Sequence, residues 1–350
     1  MLTPDDRIAI LLHNGLKGGK GKTGAALLRY SQNEIVAIID ETAVGESIYA
    51  LTGIDRAVPV VGSVEAAIAL NPTVLAIGLA PSGGRLPDPW YAEVKRAVSA
   101  GLSVMNGLHT QMNQDPEIQD AIQPGRWVWD VRQEPTGLVV GGGRAKELTC
   151  DRVLCVGTDM AVGKMSVGIE LNRAAKARGL RSKLIATGQT GLMLGEDGVA
   201  LDAVRVDYAS GAVEQAVLRY GDDHDILFVE GQGSLLNPAS TATLPLMRGT
   251  QPTHLILVHK ASLTHLQHFS DFEIPPLAEV VSLYESAVRA GGTFADTRVV
   301  GIALNTFGLD EAAARAAIAK ASQETDLPCT DAVRFGSAPL LEPILSPRWP

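Results

Sequence analysis

The run Arg152–Ser166, RVLCVGTDMAVGKMS, constrains the fold more than any other part of the chain. A short apolar segment reads as a buried strand, a glycine-containing turn follows, and helical spacing continues from Val167 to Arg178. The order strand, loop, helix makes an anion site. Glycines let backbone N–H groups close around phosphate oxygens, the helix N-terminus adds partial positive charge, and Lys164 supplies a mobile cation. Gly157, Thr158, Ala161, Val162, Gly163, Lys164, Met165 and Ser166 are therefore the expected cradle. The strict pattern G-x-x-x-x-G-K-[ST] is missed twice: Thr158 takes the first glycine position, and Met165 takes the hydroxyl position with Ser166 one residue late.

Residues 157–164, GTDMAVGK, resemble the phosphate loop of dethiobiotin synthetase and its relatives, G-T-D-T-x-V-G-K-T. Residues 225–233, DILFVEGQG, resemble the strand end V-E-G-A-G-G of the same enzymes, and the two pieces occur in the same order.

At 350 residues the chain has room for two domains of ordinary size. Apolar residues make up 46% and aromatics only 5%, a balance that favours helices packed on parallel sheet. A formal charge of −9 with no basic run argues against a nucleic-acid partner and for a small-molecule substrate. The apolar run near the N-terminus stops at Leu12, too short for a signal peptide, and no stretch approaches the roughly 18 apolar residues of a membrane span. Cys150, Cys155 and Cys329 lack metal or redox spacing, which suits a reducing cytoplasm and small buried side chains.

From Arg7 to about Glu147 strand-like and helix-like segments alternate. Strands are expected at 7–13, 34–40, 73–77 and 102–105, and helices at 23–30, 64–70 and 89–100. This βαβ series implies an open parallel sheet of Rossmann type. Its first turn holds KGGKGKT at Lys17–Thr23, which matches the variant phosphate loop of partition-type ATPases. Asn14, Gly15 and Leu16 intervene after the strand, however, and no acidic partner strand appears, so a solvated basic loop stands beside a loop that touches an anionic ligand. A dinucleotide pattern is formally present from Gly19 to Gly24, with Asp40 where a ribose-binding acid would sit. Loops at expected strand ends carry Gly83, Gly84 and Arg85, then His109, then Arg132; the glycines permit close backbone approach, and an arginine grips a carboxylate as a fork. Residues 137–146, with three consecutive glycines, read as a hinge or linker. The expected organisation is α/β throughout: an N-terminal Rossmann-like parallel-sheet domain over 1–147 and a C-terminal P-loop NTPase-like doubly wound domain over 148–350.

In the second domain, strands are expected at 182–185, 226–230, 253–259 and 299–304, and helices at 211–220 and 311–325. The loop 186–191 adds hydroxyls and the amide of Gln189 at a strand end. Gly157, Thr187, Glu230, Lys260 and Asn305 would then project from one sheet edge, the expected active site. Glu230 reads as a general base toward an amine, as a carboxylate that orients a metal-bound water, or as a cap for the N–H groups of the next loop. Asp159 is unusual in a loop that holds phosphate; in the synthetases that position helps hold the metal, and without a metal it suits an amine. His254, His259, His265 and His268 match no common zinc spacing and read as loop or helix-surface histidines, so no metal site is expected.

Over nearly its full length the chain resembles a family first described as a domain of unknown function, sometimes mislabelled NAD-dependent epimerase, whose members include bacterial D-glutamate N-acetyltransferases. The resemblance runs through Gly24–Tyr30, PSGGRLP at 81–87, Gly107–His109, Asp130–Arg132, the 157–165 loop with Met in place of the ATPase hydroxyl, and VEGQG at 229–233. It implies that the 157–166 loop cradles coenzyme A phosphates. It further implies acetyl transfer from acetyl-CoA to the amino group of an acidic amino acid, chemistry that needs no metal. The roles it suggests are Lys164 and the loop backbone for phosphate, Glu230 or Asp159 as amine partner, and Arg85 or Arg132 as carboxylate clamps. Gly83, Gly84, His109, Gln189 and Asn305 complete the expected substrate contacts. Two alternatives stand beside this: an ATP-dependent ligase or kinase with Mg²⁺ on Asp159, Ser166 and Glu230, and a non-catalytic nucleotide-binding regulator. By family analogy a homo-oligomer is expected.

Overall fold

A computed structural model of the chain describes residues 2–18, 20–81, 84–289 and 292–346. Gly83, one of the expected substrate contacts, lies outside the described residues. The chain forms two units: Met1–Gln133 with Gln189–Gly195, and Glu134–Gly188 with Glu196–Pro350.

The first unit is built on a six-stranded sheet of β1 (Arg7–Leu11), β2 (Glu34–Ile39), β3 (Val60–Val61), β4 (Val74–Ile77), β5 (Ser103–Asn106) and β6 (Val128–Asp130). The spatial order is β3-β2-β1-β4-β5-β6, with every pairing parallel. Ile8 to Leu11 and Val74 to Ile77 are all buried, because helices cover both faces of a parallel sheet and leave no solvent side on which to alternate. The chain order reverses between β1 and β4, and ligands of doubly wound sheets gather at the carboxyl ends beside such a switch.

The second unit carries β7 (Asp151–Gly157), β8 (Ser182–Ile185), β9 (Ile226–Val229), β10 (His254–Lys260), a two-stranded antiparallel ribbon of β11 (His265–Leu266) and β12 (Phe269–Glu273), then β13 (Arg298–Asn305) and β14 (Cys329–Thr330). Its main sheet runs β14-β13-β10-β7-β9-β8, again wholly parallel. Parallel pairing puts the carboxyl ends of β7, β8, β9, β10 and β13 on one edge, so Gly157, Thr187, Glu230, Lys260 and Asn305 share it as expected.

Two polar features hold this unit together. Arg152 is 1% exposed at the start of an apolar strand, and its guanidinium donates to the carbonyls of Gln251, Leu148 and Cys150, which keeps its charge hydrogen-bonded in the interior. The glycine run read as a linker is pinned: Gly142 N and Arg144 N both donate to the buried carboxylate of Glu214, on the helix Val206–Gly221. Among the described residues no helix is long and apolar enough to cross a membrane.

Candidate functional site

The strongest candidate is the loop between β7 and the helix Lys164–Ala177. Gly163 takes the N-cap position at φ +118° and Ala161 lies at φ +55°, left-handed geometry that curls the loop so that successive N–H groups turn inward. No side chain caps the helix N-terminus, and the first helical bond runs from Val167 N to Gly163 O, so the N–H groups of the opening turn have no intrahelical partner.

The loop's carbonyls are tied back one by one. Tyr284 Oη donates to Gly157 O, Ser234 Oγ to Thr158 O, Lys164 Nζ to Asp159 O, Gln267 Nε2 to Met160 O and Asn305 Nδ2 to Val162 O, at 2.7 to 3.0 Å. With these five acceptors engaged elsewhere, the loop presents mainly donors, the polarity an anion requires.

Asp159 belongs to this bracing. It is fully buried; Oδ1 accepts from Met160 N and Asn237 Nδ2, and Oδ2 accepts from Gln267 N, at 2.6 to 2.7 Å. The carboxylate thus links the loop to the segment after β9 and to the ribbon β11–β12. Asn305, expected to touch substrate, holds the loop through Val162 O. Sequence reasoning missed Ser234, Asn237, Gln267 and Tyr284, whose partners lie 76 to 127 residues away and leave no local signal.

Glu230 is 7% exposed at the end of β9. Its Oε2 accepts from Thr187 N at 3.0 Å and Gly188 N at 3.3 Å, and Thr187 Oγ1 donates back to Glu230 O. Burial raises its pKa against the opposing pull of these N–H groups and of the Lys164 charge. The capping geometry that the sequence allowed is therefore present, with an elevated pKa beside it.

His254 and His259 are buried on β10, a correction to their reading as surface histidines; an apolar strand carries them inward. His259 Nδ1 pairs with Thr158 Oγ1 at 2.9 Å, and burial pushes its pKa down to about 4. An unfolded chain takes up this proton near pH 6.5 and the folded one only near 4, so the stability linked to neutral His259 is complete above 6.5 and lost as pH falls toward 4. The full displacement is worth about 3 kcal/mol. Denaturant titrations at pH 7 and pH 4.5 should show His259→Gln losing about 2 kcal/mol less than the wild type between them; parallel losses would contradict this.

The first unit offers a second constellation. A cavity of about 330 Å³ is lined by Ala80, Pro81, Gly84, Gly107, Leu108, His109 and Arg132, so the loops after β4, β5 and β6 meet there. Gly84, His109 and Arg132 come together as expected, whereas Arg85 is exposed and outside that lining. Arg132 Nε donates to Gly107 O at 2.7 Å and its NH1 to His109 Nε2 at 3.0 Å. Asp130, at the end of β6, accepts from Asn106 Nδ2, Met112 N and Asn113 N, which fixes the loop carrying His109. Burial, then the Arg132 charge, lowers the pKa of both His109 and Lys22. Lys22 begins the helix Lys22–Tyr30.

Gln189 corrects the reading of a loop on the second sheet's edge. It opens the short helix Gln189–Met193, which belongs to the first unit, where Gln189 and Met193 pack against Gly107. Asp40 accepts from Asn14 N, Leu16 N, Thr42 N and Thr42 Oγ1, so it organises the loop after β1 where a ribose would otherwise hold it.

The chain is similar to known proteins. A D-glutamate N-acetyltransferase from Tritonibacter scottomollicae is 34% identical over 282 residues, 80% of this chain and 83% of its own. Another from Pseudoalteromonas sp. is 32% identical over 270 residues, 76% of this chain and 80% of its own. A crystal structure of a DUF1611 family protein from Anabaena variabilis is 58% identical, covers 97% of this chain and 99% of its own, and matches with a TM-score of 0.95. Residues 41–134 match the domain of unknown function DUF1611_N, a Rossmann-like domain, and residues 139–341 match DUF1611_C, a P-loop domain. With both domains matched in sequence order, the chain belongs to the DUF1611 family.

Proposed function

We propose that the protein is an N-acetyltransferase that moves an acetyl group from acetyl-CoA to the amino group of an acidic amino acid of the D-glutamate kind. The relatives named for that activity support the reaction class. The observation that carries the reading in this chain is a donor-lined phosphate loop with Lys164 at its helix N-terminus and Met165 where nucleotide hydrolases need a metal-holding hydroxyl.

Acetyl-CoA, when bound, supplies an acyl group already activated as a thioester. The backbone N–H groups of residues 161–166 would hold its phosphates, with Lys164, whose Nζ donates to Asp159 O, as the cation beside them. As the amine nitrogen bonds to the acetyl carbon and the thioester C–S bond breaks, Glu230 would accept the amine's proton and pass it to the departing coenzyme thiolate. Its Oε2 takes both loop amides, which leaves Oε1 to receive that proton, and burial raises its basicity for the task. The ATP and Mg²⁺ alternative fits less well, because both carboxylate oxygens of Asp159, one of its would-be metal ligands, already accept from N–H donors.

Glu230→Gln retains an oxygen for Thr187 N and Gly188 N, so its melting temperature should stay near that of the wild type. Its turnover should fall by about 100-fold or more, as for loss of a general base. Full turnover would reduce Glu230 to a cap. In a thermal-shift comparison acetyl-CoA should stabilise the wild type; stabilisation by ATP with Mg²⁺ and none by acetyl-CoA would replace transfer with ligation.

A further inference from the structure

We infer that the crevice at the carboxyl ends of β4, β5 and β6 is a binding site for a small carboxylate ligand, with Arg132 and His109 as its anion donors. The choice of a dicarboxylate as ligand rests on the acetyl-transfer reading; the affinity for a carboxylate stands apart from it.

Five observations converge. Arg132 is immobilised: Nε is committed to Gly107 O and NH1 to His109 Nε2, so the planar fork is held in one orientation. The same contact sets the histidine tautomer. Nε2 accepts, so the hydrogen sits on Nδ1, and both side chains offer donors. Electrostatically the region is positive, because Arg132 opposes protonation of both His109 and Lys22. An incoming carboxylate complements that field. Lys22, near enough to feel the Arg132 charge, extends the basic region.

Glycines shape the walls. A Cβ on Gly84 would sit 2.7 Å from His109 Cδ2, and one on Gly107 would sit 2.9 Å from Met193 Sδ and 3.1 Å from Gln189 Cγ. A side chain at position 84 would push His109 away from Arg132. The crevice, about 330 Å³, has room for an amino acid or short dicarboxylate.

The test is a calorimetric titration of the full chain with glutarate, which has two carboxylates and no amine to acylate. Saturable binding is expected, with Kd at least about tenfold higher in Arg132→Lys, which keeps the charge and loses the fork. His109→Ala, which leaves Arg132 in place, should also weaken binding and serves if the first variant unfolds. No saturable binding, or an unchanged Kd in both variants, would overturn the inference, as would binding of inorganic phosphate in place of glutarate. Acetyl transfer to D-glutamate is measured in parallel. Glutarate binding without transfer overturns the transfer reading and leaves the crevice standing; transfer without glutarate binding overturns the crevice alone.

Discussion

Lys164→Met should raise the Kd for acetyl-CoA by about 30-fold or more, the size of a lost charge-assisted phosphate contact, while leaving the fold intact. Lys164 is 6% exposed, and its ammonium donates to Asp159 O from beneath the loop. Keeping a cation there costs desolvation that a methionine of similar shape avoids. The loop is meanwhile braced at four further carbonyls by Tyr284, Ser234, Gln267 and Asn305. Denaturant midpoints should therefore stay within about 1 kcal/mol of the wild type or rise. Binding loss without stability loss separates a ligand-holding lysine from a structural one. An unchanged Kd would place the coenzyme's phosphates elsewhere.

Gly231→Ala should have the largest effect on stability, a loss of about 4 kcal/mol or failure to fold. A Cβ on Gly231 would lie 1.6 Å from Cys155 O and 2.9 Å from Lys164 Cδ. Cys155 sits in the middle of β7, paired with β10 at Ile256, and β9 flanks the strand on its other side, so its carbonyl cannot retreat without parting the sheet. The same contact packs the strand-end VEGQG segment against the phosphate-loop lysine. Midpoints from chemical denaturation check this; a loss under about 1 kcal/mol would mean the two segments are not in that register.

How far the chain could be read from its residues follows from where each signal resides. Parallel strands buried on both faces appear as unbroken apolar runs, which is why β1, β2, β4, β5, β7, β8, β9, β10 and β13 were all legible to within a residue or two. β3, β6 and β14 contribute only two or three residues each, too few for a pattern to register. The ribbon β11–β12 is largely polar, and its importance comes from Gln267 reaching Asp159 108 residues away. Glycines mark where a backbone must curl, so the 157–164 loop and the Gly84 and Gly107 positions announced themselves. Which carboxylate is spent on bracing and which remains for chemistry is a matter of long-range partners. Asp159 and Glu230 look equivalent in one dimension, yet the first takes three N–H donors across both oxygens and the second takes two on one. Gln189 is the sharpest case: its neighbours through Gly188 belong to one unit and it packs with the other, a crossing that no local periodicity encodes.

The most direct measurement is a crystal structure of the protein with acetyl-CoA bound. It should show coenzyme phosphate oxygens within hydrogen-bonding distance of the amides at the start of the Lys164–Ala177 helix, with Lys164 Nζ moved from Asp159 O onto the phosphate. Coenzyme bound at another surface, with Lys164 still on Asp159 O and that cradle empty, would contradict the account.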